Sequence, residues 1–481
     1  MPDRAVDSKN VVSGGASREQ FLNAEGWAKK KVTVLGLGRS GSSAARYLAA
    51  RGADIFLSEG GLAEGSKAEE AQKLKQLGIK VETGGHSEEA LSSAELIIVS
   101  PGIPPSSPVI TRAQALNKEI ICDIELAARE TEIPIIAITG TNGKSTTCAL
   151  VSHILTTASF KAPSCGNFGV PILCQLENEP DYLVAEVSSF QSHYCQQFAP
   201  AVAVWLNLTP DHIEWHGGLN AYINAKQKLF AKQKLNQYAV LNEDDPIVAN
   251  FEPPSEVFPF SVTNQMDYAI QAAFMNNGFL CYRMDGSTNL VCHQDDLKII
   301  GSHNLENALA ALSVAAVLGV PLAKAQEGLK SFCALEHRLE YVATIDGVRY
   351  FNDSKATNPN STIKALEAFG AERIVLIAGG RDKGTSLGDL AAAVRKHVAD
   401  VILLGEAKER FWEAFEEAGC RNLHSADSLA QAVDMAGELK VGPVVLSPAC
   451  ASFDMFRDYE ERGRVFKNLV HTRLEKMAPS H

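Results

Sequence analysis

A three-domain α/β protein is what this sequence predicts. Three observations carry the prediction. Short apolar runs alternate with helical patterns along the chain, the mark of mainly parallel sheets with helices between the strands. The 481 residues suffice for about three domains at roughly 100–200 residues each. Two glycine-rich loops, at 36–41 and 140–144, each stand between a predicted strand and a predicted helix.

The first domain is expected over residues 27–124. Lys31–Leu35 reads as a strand, Ser42–Arg51 as an alanine-rich helix and Ala53–Leu57 as the next strand, closed by Glu59. Between the first two lies GLGRSG, a complete G-x-G-x-x-G at Gly36, Gly38 and Gly41, with Leu37, Arg39 and Ser40 between the glycines. Such a Rossmann-like loop lets the backbone approach a diphosphate at a helix N-terminus. NAD fits this physics, and so does any nucleotide diphosphate. A further strand, Glu95–Val99, runs into Ser100-Pro101-Gly102, a turn at a strand C-terminus, where open α/β sheets bind ligands.

The central domain is expected over 125–334. Pro134–Thr139 is a buried strand, Gly140–Lys144 a loop and Ser145–Thr156 a helix. The loop ITGTNGKST ends like G-x-x-x-x-G-K-[ST], but its first glycine, Gly140, stands only three positions before Gly143. The flanking strand and helix still favour an anion on the loop's N–H groups and the helix dipole. Gly140, Thr141, Asn142, Gly143 and Lys144 would cradle phosphates, and Ser145 or Thr146 would offer a hydroxyl to Mg²⁺. Strands at Tyr182–Glu186 and Val202–Asn207 bring Glu186, Asp211 and His212 to places where a phosphate-loop protein holds that ion. His212, Glu214 and His216 also suggest zinc, as in H-E-x-x-H, but the order differs, and Pro210 and Gly217-Gly218 frame a loop. The third domain, 335–481, has predicted strands at Arg349–Asn352, Ile374–Ala378, Val401–Leu404 and Val444–Ser447.

Composition excludes several roles. The formal charge is −12, so neither nucleic acid nor a membrane surface finds electrostatic support. No apolar run reaches the ~20 residues of a membrane helix, and the polar N-terminus lacks a secretory core. Ten dispersed cysteines without C-x-x-C fit a reducing, cytoplasmic setting. Residues 1–26 read as a mobile extension.

GTNGKST, EVSSFQ, NLTPDHIEWHGG, GSHNLENALAA, LEHRLE, NDSKATN and LSPACASFDMF follow one another in this order. Together they resemble the Mur ligases, ATP-dependent amide-forming enzymes of peptidoglycan precursor synthesis, over roughly residues 30–475. That family uses the shortened loop. NDSKATN and LSPACAS resemble its D-glutamate-adding branch; the D-N-P-R motif of the diaminopimelate- or lysine-adding branch is absent. The resemblance implies a C-terminal Rossmann-like domain that swings to close an ATP site, and a monomer acting on UDP-N-acetylmuramoyl-L-alanine and D-glutamate through an acyl phosphate.

The resemblance also implies roles. Lys144 contacts the ATP phosphates. Ser145 and Glu186 share one Mg²⁺ site and His212 belongs to a second, with Mn²⁺ able to substitute. Lys226 in NAYINAKQKLF matches a lysine carried as a carbamate; on its residues alone it is a solvated helix lysine. Asn304 and Asn307 face adenine, with helix capping as the plain alternative. Arg338 and Asp353 serve ATP. Lys355, Thr357, Lys383, Ser452 and Tyr459 form the D-glutamate pocket, with Arg381 where some members have an acid and Tyr459 where Phe is frequent. Gly36–Gly41, Ser100 and Asn167 serve the UDP-sugar, and Ser58-Glu59 lies where the family touches uracil, without matching a firm pattern. A dehydrogenase built on the first loop leaves every later motif unexplained; a nucleotide-dependent switch explains Lys144 but not NDSKATN with LSPACAS.

Overall fold

The computed structural model describes residues 24–382 and 384–477. Lys383 and residues 1–23 of the expected extension lie outside the described residues. Residues 24–26 open a short helix, Ala24–Trp27, whose Trp27 is buried and donates from Nε1 to Glu130 at 2.9 Å.

The described residues form two compact units, parted at 296/297, 305/306 and 330/331, with 306–330 belonging to the first and 297–305 to the second. The first unit holds two sheets. Lys31–Leu35 (β1), Asp54–Glu59 (β2), Lys80–Thr83 (β3), Leu96–Val99 (β4) and Glu119–Ile121 (β5) are all parallel, in the order β3-β2-β1-β4-β5. The order reverses at β1, so the crevice for a ligand opens at the carboxyl ends of β1 and β4. The helix after β1 runs Arg39–Ala49, three residues earlier than the alanine pattern suggests, because its first turn absorbs Ser40 and Gly41. A Cβ on Gly41 would lie 2.1 Å from the Gly36 carbonyl, so the third glycine of the motif is needed for helix–strand packing.

The second sheet comprises Ile135–Thr139 (β6), Ser164–Gly166 (β7), Leu183–Glu186 (β8), Val202–Trp205 (β9), Tyr238–Asn242 (β10), Glu256–Ser261 (β11), Ala272–Asn276 (β12), Phe279–Met284 (β13) and Ser287–His293 (β14). Its order is β14-β13-β12-β11-β10-β9-β6-β8-β7. The central sheet, expected to be mainly parallel, is parallel from β7 to β12 and closes in an antiparallel meander of β12, β13 and β14. Its turns are Asn277-Gly278 and Asp285-Gly286, all four residues at positive φ, as two-residue hairpins require. One buried apolar cluster runs from Trp27 and from Val34 and Leu57 of the first sheet to Ile135 and Trp205 of the second, and on to Phe230.

The second unit carries Glu340–Ile345 (β15), Val348–Asn352 (β16), Ile374–Gly379 (β17), Val398–Leu404 (β18), Leu423–Ser425 (β19) and Val444–Leu446 (β20), in the order β15-β16-β20-β17-β18-β19. Only β15 is antiparallel, through an Asp346-Gly347 turn. Alternate residues of β17 face opposite layers: Leu376 packs with Leu366, Phe411 and Phe415, Ile377 with Tyr350, Ile402 and Phe466. Helices cover both faces, as a buried parallel sheet needs.

Candidate functional site

The phosphate loop leaves fully buried β6 and enters the helix Lys144–Thr157. Gly143 sits at φ +83°, and a Cβ there would lie 2.3 Å from Asn307 Oδ1, so the position requires glycine. Asn307 is buried and accepts from the Thr147 hydroxyl at 3.1 Å. Its side chain thus buttresses the loop, a role that the capping alternative does not describe. Asn207, from NLTPD, holds the loop's other side: its Oδ1 accepts from Thr141 N and Asn142 N at 3.1 and 2.9 Å. Lys144 Nζ curls over the loop onto the carbonyls of Gly140 and Thr141.

Glu186 ends β8, beside β6. Its carboxylate is buried, and its two oxygens accept from Ser145 Oγ at 2.6 Å and Asn167 Nδ2 at 2.7 Å. Glu186 also acts electrostatically on Lys226, and a buried carboxylate of this kind favours a cation beside it. Thr146 is buried one residue along the helix.

Lys226 is not a solvated lysine. It is 1% exposed, and its Nζ donates to the Gly140 carbonyl at 2.8 Å and stands 4.9 Å from the Tyr222 ring centroid. Burial, reinforced by repulsion from Lys144, pulls its pKa well below the ordinary lysine value. Tyr222 in turn bonds the Thr141 hydroxyl at 2.9 Å. Lys226 is therefore wired to the phosphate loop.

His212 lies on the neighbouring segment at φ +52°, more than half exposed and 3.4 Å from Asp211. Residues 213–216, expected as loop, form one helical turn. His212 and Trp215 stack on Phe190 of EVSSFQ at 4.8 and 4.3 Å, so this motif positions the histidine segment as well as Glu186. His216 bonds Ser189 Oγ at 3.0 Å, and its pKa is pulled down to about 4, chiefly by burial, then by His193 and Lys226.

A cavity of about 550 Å³ opens at the carboxyl edge of the first sheet. Gly36, Gly38, Arg39, Ser40 and Ser100 line it, and Asn167 reaches it from the central domain. Gly36 (φ +98°) and Gly41 are packing glycines, whereas a Cβ on Gly38 would meet nothing within 4 Å. Gly38 is thus the open face of the loop. Leu37 N donates to Glu59 Oε2 at 2.7 Å. Glu59, Lys67 and His86 also line this cavity. Lys67 and His86 were not singled out by the sequence motifs, because no pattern marks them.

In the second unit Asp353 follows β16, with Oδ2 accepting from Ser447 at 2.7 Å and Oδ1 from Leu339 N at 3.2 Å. Burial pushes its pKa up to about 7, against the pull of those donors and of Arg338 and Arg462. Arg338 sits between His337 (φ +67°) and Leu339 (φ +43°), two left-handed residues of the strained kind that clusters at functional sites. Asn304 Nδ2 donates to the Ile300 carbonyl at 2.8 Å, a local bond at the start of its helix.

Lys355 Nζ stands 5.3 Å from the Tyr459 ring centroid, and Thr357 N bonds the Lys355 carbonyl. Burial, with Glu460, raises the Tyr459 pKa. Ser452 is buried, its carbonyl capped by Met455 N and Phe456 N. Buried Arg462, absent from the sequence reading, joins the two motifs: it donates to Ser354 Oγ at 2.9 Å and to the carbonyls of Ser354 and Cys450 at 2.8 and 3.2 Å. Arg381 N reaches the Ala451 carbonyl at 2.9 Å, which ties in the GGRD loop through its backbone.

Three family models match the chain in order: "Mur ligase MurD-like, N-terminal domain" over residues 30–122, "Mur ligase middle domain" over 138–315 and "Mur ligase, glutamate ligase domain" over 337–450. Among curated relatives, the UDP-N-acetylmuramoylalanine–D-glutamate ligase of Pelotomaculum thermopropionicum is 39% identical, covering 92% of this chain and 98% of its own. That of Geotalea daltonii is 42% identical over 92% and 97%. Among solved structures, UDP-N-acetylmuramate-alanine ligase MurC of Thermotoga maritima matches with a TM-score of 0.58 at 21% identity, over 92% of this chain and 99% of its own. MurF ligase of Thermotoga maritima in complex with ADP also matches at 0.58, with 17% identity, over 95% and 98%. These structures share the fold of this chain.

Proposed function

This chain belongs to the Mur ligases, and from that premise we propose that it adds D-glutamate to UDP-N-acetylmuramoyl-L-alanine at the expense of ATP, in peptidoglycan precursor synthesis in the cytoplasm. The curated relatives support the choice of amino acid. The observation that carries the chemistry is the meeting of Lys144, Ser145, Glu186, Asn167 and buried Lys226 around one shortened phosphate loop. No helix among the described residues is long and apolar enough to cross a membrane.

A carboxylate does not condense with an amine near neutral pH, because oxide is a poor leaving group. In the reaction we propose, a carboxylate oxygen of the alanyl group takes the γ-phosphoryl group of ATP, and ADP leaves. The amine of D-glutamate attacks the acyl carbon, phosphate departs, and the nitrogen loses a proton. The protein's contribution is position and charge. Lys144 leaves the loop carbonyls for the phosphates, and the loop N–H groups hold them at the helix N-terminus.

The donor set fits a hard divalent cation. Ser145 and Glu186 offer oxygens, which suit Mg²⁺; His212 offers nitrogen at a second position, which suits Mn²⁺ better. Cations held by Ser145, Glu186 and His212 would supply charge neutralisation for the phosphoryl oxygens. Lys226, as a neutral amine, takes up CO₂ at Nζ and releases a proton, so that the neutral side chain becomes an anionic carbamate facing the same loop. Asn304, Asn307, Arg338 and Asp353 are assigned to ATP from their motifs. Lys355, Thr357, Lys383, Ser452 and Tyr459 are assigned to D-glutamate, whose two carboxylates call for cations and hydroxyls.

The route is tested with substrate carrying ¹⁸O in the alanyl carboxylate. One labelled oxygen per turnover is expected in the released phosphate. Unlabelled phosphate would refute the acyl phosphate.

A further inference from the structure

The cavity of the first sheet has an end that the glycine loop does not explain. In a doubly wound sheet a nucleotide's diphosphate lies at the helix after the first strand and its ribose at the end of the second. The base then falls beyond the second strand, toward the third. Here β3 flanks β2, and the loop after β3 carries His86, which lines the cavity.

The state of His86 follows from its neighbours. Buried Ser58, at the end of β2, donates its one hydroxyl proton to Glu82 Oε1 at 2.6 Å. Glu82 cannot be the donor: burial would raise its pKa, but hydrogen bonds from Ser58 and Ser87 N bring it below the usual carboxylate value, so it is ionised and only accepts. The Ser58 oxygen also lies 2.7 Å from His86 Nδ1. With its own proton committed to Glu82, Ser58 accepts there, and Nδ1 carries the hydrogen. Burial lowers the His86 pKa, opposed by Glu82 and Glu59 and assisted by Arg112, so the ring is neutral at pH 7. A neutral ring protonated on Nδ1 has a bare lone pair on Nε2. That nitrogen faces Gly60, where a Cβ would come within 2.9 Å of it; the glycine keeps that side of the ring uncovered.

We propose that His86 selects the base of the UDP-substrate, its Nε2 accepting a hydrogen bond from the imide N3–H of uracil. The inference rests on the reading above that this cavity takes a UDP-sugar, and adds the residue that chooses the nucleotide. Uracil presents a donor at N3, whereas cytosine presents a lone pair there. An acceptor fixed by the Ser58–Glu82 relay meets the first and repels the second. The same relay explains why Ser58, although at the end of β2, does not itself face the ligand: its hydroxyl is spent setting the tautomer.

The test is calorimetric titration of the full chain with UDP, CDP and 3-methyl-UDP. The wild type is expected to bind UDP about tenfold or more tighter than either analogue, the effect of one lost or opposed hydrogen bond. His86→Ala, in a partly exposed loop, should weaken UDP about tenfold and bring all three affinities together. Glu82→Gln gives a second readout. One Glu82 oxygen accepts from both Ser58 Oγ at 2.6 Å and Ser87 N at 3.0 Å, so the Gln carboxamide oxygen takes its place, Ser58 still accepts from Nδ1, and the preference for UDP over CDP should persist. Equal affinity of the wild type for UDP and CDP, or an unchanged ratio in His86→Ala, would overturn the inference. If His86→Ala keeps its discrimination while the wild type still ligates D-glutamate, this inference fails alone. If the wild type binds none of the nucleotides and ligates nothing, the functional reading fails with it.

Discussion

Replacing Asp353 by Asn should stabilise the second unit at alkaline pH and leave it unchanged in acid. Burial pushes this carboxyl from the ordinary 3.8 up to about 7. The folded state therefore holds its proton more tightly than the unfolded chain does. Stability is then highest below the unfolded pKa, falls as pH rises from about 4 to about 7, and is flat above. A difference of roughly three pH units at 1.36 kcal/mol each amounts to about 4 kcal/mol at pH 8. Asn keeps the acceptor for Leu339 N. Its amide must meet Ser447 as an acceptor, which Ser447 can become by turning its proton to Thr362 Oγ1, 3.1 Å away; that exchange costs about 1 kcal/mol. The net expectation is a gain of about 3 kcal/mol at pH 8 and about none at pH 4.5. Amide exchange measured over β16 and β20, corrected for intrinsic rates, reads this directly. A gain of equal size at both pH values, or a loss at pH 8, would refute the linkage. Ligation should fall in the same variant, because the charge that destabilises the fold is the one assigned to ATP.

Two further outcomes follow from the central domain. Burial and Lys144 depress the Lys226 pKa, so the neutral amine needed for carbamate formation persists at pH values where an ordinary lysine is charged, and is lost as pH falls through the folded value. ¹³C-bicarbonate should give a carbamate resonance that is absent in Lys226→Arg, and removal of CO₂ should lower turnover; full activity without CO₂ and no resonance would dismiss the carbamate. Gly143→Ala combines a left-handed backbone, about 1–2 kcal/mol for a residue with a Cβ, with displacement of Asn307 from Thr147, about 1 kcal/mol. A loss of about 2–3 kcal/mol in urea unfolding is expected, and an unchanged midpoint would show that the loop relaxes freely.

The strands that feed the site were legible because they are apolar runs bounded by glycine, and their positions agree with the structure to within a few residues. The antiparallel strands β12–β15 were not read, although Asn277-Gly278, Asp285-Gly286 and Asp346-Gly347 each carry the two-residue hairpin signal; the parallel pattern elsewhere masked it. Lys226 shows the limit of local reading. A lysine on a short helix looks solvated, and only the packing of Tyr222 and the phosphate loop around it produces its burial. Asn207 lay in a quoted motif but is an ordinary loop residue until its carboxamide is seen on two loop N–H groups. Arg462 and His86 have no signal in the chain, because their roles depend on partners up to 108 residues away and on a proton relay through buried Ser58.

Phosphate release with ATP, Mg²⁺ and UDP-N-acetylmuramoyl-L-alanine, one amino acid at a time, tests the central claim most directly. The structure and its relatives predict release with D-glutamate and none with L-glutamate or diaminopimelate. Release with another amino acid would contradict the assignment of the pocket around Lys355 and Ser452, and no release with any would contradict the ligase itself.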